Sequence, residues 1–570
     1  MPPKRAVSTS TTEKVIGKKV KRGISNESNN AKESRNANNA SSLASPSPST
    51  VTDTTSQKEK LSFIGNCVMW FRTDLRLKDN RALSLASKHA TKQNKNLFAL
   101  YIISPQEWKA HDVAPIRVDF WLRNLVSLQD KLEELNIPLI VRTVNLRRNV
   151  PSTVIEYCKA VNVSHLFANI EYEINESRRD KKVCSLAEHS DIVVSLEHDQ
   201  CIIPPGLVLT KQQKPYTVYT PFKKSWLAIV GSGPKYLELS PNPAPNNELI
   251  REQYASGFNT KIPEFVEGFQ ILTAQSKRAS TEFPAGEDAA HQRLQTFISG
   301  RIENYKEARN IPSIDGTSSL SAYFAAGVIS ARQCVVAARA ANKNKLQCGN
   351  IGITTWIEEI AWRDFYRHVL VAFPYVCMNR PYKLETENIE WNNDPARLRR
   401  WCEGKTGYPI VDAGMRQLNE TGWMHNRVRM ITAMFLTKDL LVNWQDGERY
   451  FMQHLIDGDF ASNNGGWQWC ASTGTDAQPW FRIFNPTLQS QKFDPNGDYI
   501  RKWVPELSSL GPNEIHDPSG SLSPKRFAKL KYTTPIVDHK TAREKTLEIY
   551  KAVTKGGGAS SGGTKTYKLN

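Results

Sequence analysis

TGYPIVDAGMRQLNETGWMHNRVRM (406–430), DGDFASNNGGWQW (457–469) and GTDAQPWFRIFNPTLQSQKFDPNGDYI (474–500) follow one another between Trp401 and Pro505. Charged and amide side chains stand there in unusual density among Trp and Gly. Burying so many polar groups is costly unless each finds a partner, so the stretch reads as the lining of a site. Asp457 and Asp459 of DGD suggest a metal, but no convergent His or further carboxylate spacing accompanies them, and no metal is expected. A cation such as Arg429 is the better neutraliser. Trp401, Trp444 and Trp467 each suit a core as well as a site.

Upstream, WIEEIAWRDFYRH (356–368) has helical spacing. Glu359, Trp362, Arg363 and Tyr366 fall at i, i+3, i+4 and i+7, on one face. Two aromatics beside a guanidinium suit nucleotide recognition. A carboxylate would repel a phosphate backbone, so Glu359 is better placed to hydrogen-bond a base edge. An amphipathic core helix with an i,i+4 ion pair fits the same residues. Further upstream, Gly316-Thr317-Ser318-Ser319 precedes another helical stretch. Hydroxyls and free amides at a helix start suit a pyrophosphate, although an ordinary N-cap is the commoner use of such residues.

From about residue 286 onward the pattern is helical, and strand signals are scarce. The first part differs. Cys67–Phe71 and Leu97–Ile103 read as buried strands, and Ile137–Val144 and His165–Ile170 continue the series. Asp119–Leu135 and Val154–Ala160 read as helices between them. Such alternation predicts a parallel sheet with helical crossovers. The turn after the first strand, RTDLRLKDN (72–80), lacks GxGxxG, which argues against a dinucleotide site there and against a nicotinamide oxidoreductase. The predicted organisation is a polar basic tail without fixed structure (1–62), an α/β domain with a Rossmann-like parallel sheet (63–195), an interdomain connection (196–285), a large all-α domain (286–552) and a flexible glycine-rich end (553–570).

The 570 residues suffice for such a core, and the formal charge is +18. Residues 1–62 contribute +6 of it, so the folded body is itself basic. A basic body favours a polyanion, nucleic acid before membrane, about as strongly as no such partner. No apolar run is long enough to span a bilayer, and the start has no secretory pattern. Lys4-Arg5 and the cluster Lys18-Lys19-Val20-Lys21-Arg22 suit a bipartite nuclear import signal, with a mitochondrial presequence the weaker alternative. The nine cysteines show no CxxC pair, which fits a reducing compartment. Cys67 and Cys334 lie in apolar stretches and read as core.

The signature from Trp401 to Pro505, with the segments before it, resembles the class I cyclobutane pyrimidine dimer photolyases of the photolyase/cryptochrome family. The resemblance runs from Phe63 to about residue 552. It implies an α/β antenna domain followed by a helical FAD-binding domain. It implies that Tyr305 and Thr317, Ser318, Ser319, Leu320 and Ser321 hold the flavin phosphates and that Trp356 lines the same cavity. Asp457, Gly458 and Asp459 would address the flavin's polar side, with Arg429 paired to Asp457. Asn463 would face N5, where a neutral amide tolerates a reduced anionic flavin better than a carboxylate would.

The implied activity is light-driven electron transfer from reduced flavin to a dimer flipped out of DNA, in a monomeric enzyme without membrane attachment. By the same resemblance, Glu359 and Asn426 hydrogen-bond the flipped pyrimidines. Trp362, Trp469 and Met430 wall the pocket. Arg309, Arg363, Arg427 and Gln489, with Tyr366 on the helix face, hold the damaged strand. Trp467, Trp444 and Trp401 match the photoreduction relay, Trp467 nearest the flavin and Trp401 nearest solvent. EYEINESRRD (171–180) matches the folate-antenna stretch, with Asn175, Glu176 and Cys377 as ligands. Met378 stands where some members have lysine. 5,10-Methenyltetrahydrofolate is therefore the expected antenna and a deazaflavin the alternative. A cryptochrome photoreceptor shares fold and FAD, but the full dimer-pocket set favours repair. Asn426 stands where a (6-4) photolyase carries histidine, and Trp469 where the single-strand-preferring cryptochromes tend to have tyrosine.

Overall fold

Asn66–Phe71 (β1) and Leu97–Ile103 (β2) are buried at every position, as strands covered on both faces must be. In this computed structural model, which describes residues 64–556, they are joined by Leu139–Thr143 (β3), Val163–Asn169 (β4) and Val193–Glu197 (β5). All pairings are parallel, in the order β3-β2-β1-β4-β5. The expected strands are present within a few residues of their predicted ends. β5 was not anticipated. It lies at the sheet edge with no fully buried residue, so VVSLE never shows the apolar run that marks the other strands. Helices Arg81–Lys92, Pro115–Glu133, Val150–Ala160 and Ile174–Glu188 make the crossovers. Pro115–Glu133 carries the apolar face expected around Phe120, Leu125, Leu128 and Leu132.

The strand order reverses at β1, where open parallel sheets usually take ligands. Here the loop after β1 is used for docking. Arg332, from the helical half, donates to both Asp79 carboxylate oxygens at 3.0 and 3.1 Å and to Asp199. Arg76 pairs with Asp199 and donates to the Gly327 carbonyl at 3.0 Å. Glu287 accepts from the Leu77 and Lys78 amides, both at 2.9 Å. The missing glycine fingerprint thus has a physical counterpart: the crevice is filled by charges that tie the two halves together.

Beyond Glu197 no strand occurs among the described residues. The stretch 196–285 carries helices of its own, including Tyr219–Gly231 and Thr273–Glu282. One apolar cluster runs from the sheet into the helical half, through Phe297, Trp356 and Phe365. A second lies wholly within the later helices and holds Trp401, Trp444 and Trp467. Cys67 and Cys334 are fully buried, as expected. No described helix is long and apolar enough to cross a membrane. The import-signal residues Lys4 to Arg22, the 1–62 tail and the glycine-rich end from residue 557 lie outside the described residues.

Candidate functional site

The helix Phe460–Ala471 organises the site. Asp459 is its N-cap and accepts from the Ser462 amide at 2.8 Å. The other Asp459 oxygen pairs with Arg367. Burial pushes this carboxyl up, but Arg367 and Arg363 outweigh burial and hold it well below the usual carboxylate range. Two residues earlier, Asp457 takes both oxygens to Arg429 at 2.8 and 3.0 Å, the predicted pair. Arg429 is further fixed by donating to the Met424 carbonyl at 2.7 Å. One turn into the helix, the Asn463 amide nitrogen donates to Glu448, at 3.0 Å to its carbonyl and 3.2 Å to its carboxyl. Gly466, on the Asn463 face, borders open space: a Cβ there would meet no atom within 4 Å.

The segment before the helical stretch at 321 differs from an N-cap. The helix Ser321–Ala325 is a single turn, and its cap, Leu320, offers no side-chain bond. The hydroxyls are not used for capping. Thr317 and Ser319 lie 3.4 Å apart, with Ser319 in the left-handed region at φ 49°. Ser321 accepts from the Trp423 indole at 3.3 Å. Two residues on, buried His425 accepts the Arg427 amide on Nδ1, and its Nε2 has no partner. Burial, with Arg427, Arg429 and Arg309 nearby, lowers this imidazole to about 4. An unsatisfied N–H donor among three guanidiniums calls for an anionic or acceptor-rich ligand. Tyr305 and Trp356 are buried and both pack on Phe297, at 5.8 and 5.2 Å.

The face predicted on Ile351–Ala372 exists. Glu359, Trp362, Arg363 and Tyr366 are all half-buried on it. Glu359 pairs with Arg309. Burial raises the Glu359 carboxyl, and Arg309 opposes the shift. Trp362 and Tyr366 stack at 5.6 Å. The Tyr366 ring lies on Gly465, where any Cβ would strike it at 2.2 Å. Across from this helix, Asn426 is exposed at the start of Asn426–Met434, and Met430 and Trp469 are half-buried beside the second core. Arg427 donates to Asn310 at 2.6 Å and lies 4.3 Å over Phe493. Gln489 is half-buried on Pro486–Phe493.

Arg363 departs from expectation. Its guanidinium donates to the Gln200 carbonyl and lines an interior cavity instead of joining the Glu359 surface. Burial and the neighbouring Arg367 act against its charge there, and Asp459 offsets them in part. The cavity, about 380 Å³, lies between the halves and gathers Asn175, Glu176 and Cys377, as the antenna expectation requires. His111, missed in the sequence, joins them: it contacts Asn175 at 3.0 Å and Glu176 at 3.2 Å. Glu176 Oε2 is buried without a partner. Burial and neighbouring carboxylates raise Glu173 and Glu176. Glu107, His111 and Glu176 also bring ligand atoms within 4.8 Å of one another.

The tryptophans correct one expectation. Trp401 is 0% exposed and cannot be the solvent end of a relay. Its ring meets Trp467 at 6.0 Å. Gly447, one turn after Trp444, admits the Trp467 ring, which a Cβ would strike at 2.2 Å. Half-buried Trp391 packs on the same cluster and on Tyr550, at 6.4 Å. Its segment, IEWNNDPARLRRW, holds two tryptophans ten residues apart, and burial alone separates them.

Residues 67–246 match the family described as DNA photolyase, and residues 356–552 match the FAD binding domain of DNA photolyase. A deoxyribodipyrimidine photo-lyase of Neurospora crassa is 48% identical over 85% of this chain and 81% of its own length. The chain belongs to the DNA photolyase family. A mitochondrial deoxyribodipyrimidine photo-lyase of Saccharomyces cerevisiae is 36% identical, over 90% of this chain and 92% of that protein. A class III photolyase structure from Agrobacterium tumefaciens superposes with a TM-score of 0.74 at 33% identity, covering 88% of this chain and all of that one. The family's FAD fits what this chain offers. The backbone at Gly466, near Asn463, is open to close approach, and the orphaned His425 donor and the hydroxyls of 317–319, which do not cap the helix, suit phosphates.

Proposed function

We propose that this protein is a deoxyribodipyrimidine photo-lyase, a carbon–carbon lyase that splits cyclobutane pyrimidine dimers in DNA. The observation that carries this reading is the contact between Tyr366 and Gly465. It sets the Glu359–Trp362–Tyr366 face directly against the helix bearing Asn463, so lesion and cofactor share one wall. When bound, FAD supplies the light-driven one-electron transfer to the dimer.

Tyr305 and Thr317 to Ser321 would hold the cofactor's phosphates, with Trp356 lining the same cavity. Arg429, Asp457, Gly458 and Asp459 hold its polar ring edge. Asn463, with its nitrogen engaged by Glu448, would be left with its carbonyl oxygen for the flavin N5 side. Repair enzymes of this class act on a flipped base. Glu359 and Asn426 address the flipped pyrimidines, and Trp362, Trp469 and Met430 exclude water around them. Arg309, Arg427, Gln489 and Tyr366 hold the strand near the pocket, with basic side chains carrying the salt-dependent part of affinity. Photoreduction runs inward from Trp391 through Trp444 to Trp467, with Trp401 a buried neighbour. Asn175, Glu176, Cys377 and His111 hold 5,10-methenyltetrahydrofolate in the interior cavity. The enzyme acts as a monomer, its catalytic domain spans 286–552, and the basic tail directs it to the nucleus, with mitochondria as a second destination.

The test is light-dependent repair of oligonucleotides carrying either a cyclobutane dimer or a (6-4) product, with FAD-loaded protein. Repair of the cyclobutane dimer under near-ultraviolet or blue light, and none in the dark, is expected. Activity on the (6-4) product alone overturns the substrate assignment.

A further inference from the structure

Trp362 does not offer both faces to a ligand. One face is covered by Tyr219, whose ring lies parallel to the indole with centroids 3.5 Å apart and planes at 11°. Tyr219 belongs to the connection between the halves, at the start of Tyr219–Gly231, and is itself buried. Two hydrogen bonds and a ring contact fix it there. Its hydroxyl donates to the Glu358 carbonyl at 2.5 Å. Its backbone amide donates to Asp476 Oδ2 at 3.0 Å. Its ring meets Phe365 edge-on at 5.8 Å. Asp476 sits in the left-handed region at φ 45°, in the segment that follows the Trp469 helix. Lys223, one turn after Tyr219, reaches back to the Glu358 carboxyl at 2.8 Å and covers the Tyr219 ring at 5.9 Å.

Tyr219 therefore touches three walls of the same mouth: the Glu359–Trp362 helix, the connection and the segment after Trp469. We propose that Tyr219 is a positioning residue for lesion recognition, holding the Trp362 indole in the one orientation in which the part of the ring left open by Tyr219, Phe365 and Tyr366 meets the flipped dimer. Phe365 and Tyr366 meet the indole from its own helix, both with centroids at 5.6 Å, and the closer, near-parallel Tyr219 stack adds a preferred offset and angle that narrows its rotation about χ1 and χ2. Undamaged duplex does not enter the pocket, so its binding does not depend on this orientation. The proposal rests on the assignment of Glu359 and Trp362 to the dimer pocket.

The experiment measures, in the dark, the affinity of FAD-loaded protein for one oligonucleotide with and without a cyclobutane dimer, and then repair per bound complex under light. Tyr219→Leu removes the stack and Tyr219→Phe retains it. Tyr219→Leu is expected to weaken dimer binding by about tenfold. Affinity for undamaged DNA and repair per bound complex stay at the parent values. Tyr219→Phe is expected to restore most of the lost affinity. Glu359→Ala, measured alongside, tests the pocket itself. If Glu359→Ala weakens dimer binding while Tyr219→Leu does not, the role of Tyr219 is refuted and the pocket stands. If neither variant weakens it, both assignments fall together. Equal losses for damaged and undamaged DNA, or a Phe variant as weak as the Leu variant, also overturn the proposal.

Discussion

Trp401 and Trp467 meet edge to face, with centroids 6.0 Å apart and planes at 72°, and neither is more than 2% exposed. An electron cannot enter from solvent at Trp401. Half-buried Trp391 is the surface candidate. Trp467→Phe is expected to abolish photoreduction of the oxidised cofactor while sparing repair by chemically reduced enzyme. Trp391→Phe should slow photoreduction by about tenfold or more, and Trp401→Phe by less. Bleaching of the oxidised-flavin band under steady light measures all three. Full photoreduction in Trp391→Phe, with none in Trp401→Phe, would reverse the assignment.

Glu359 is half-buried and engaged by Arg309. Glu359→Ala removes the acceptor proposed for the pyrimidine edges and takes from Arg309 its carboxylate partner. Dimer affinity should fall by about 1.5–3 kcal/mol, or roughly ten- to a hundredfold, with FAD content unchanged. Titration with dimer-containing oligonucleotide checks this, and loss of FAD in the variant would show that the pair supports the cofactor instead.

Asp457 and Arg429 form a charge pair whose carboxylate is almost fully buried. Removing one partner strands the other. Asp457→Ala is expected to cost about 3–5 kcal/mol of stability and to empty the protein of flavin. Melting temperature and flavin absorbance after gel filtration read the two effects. A yellow, parent-like Asp457→Ala protein would refute the role.

Glu448 holds Asn463 in place, and burial raises its carboxyl to about 7. The folded protein favours the neutral acid, so this stabilisation is complete below the ordinary carboxyl range and is lost as pH rises through 7. Glu448→Gln is permanently neutral. Its stability should match the parent near pH 4.5 and exceed it at pH 8, by at most ~3 kcal/mol. Melting curves at the two pH values decide the point; a constant difference would mean that Glu448 is not buried as an acid.

The α/β half was legible because buried strands must be apolar throughout, as CVMWF and LFALYII are. β5 was not, because an edge strand need not be. The Arg429–Asp457 pair followed from motif and charge together. The position of the Arg363 guanidinium was not legible because helical spacing sets a residue's face, whereas a long side chain can turn to a distant partner, here the Gln200 carbonyl. Tyr219 and His111 carried no signal at all, since each acts across more than fifty residues of chain.

By itself, the sequence determined the two-part architecture and the family, because those rest on local periodicity and on dense motifs. Tertiary structure alone decided which of Trp391 and Trp401 is buried, where the Arg363 guanidinium turns and what covers one face of Trp362. Burial and pairing across distant segments are properties of packing, and spacing along the chain does not encode them.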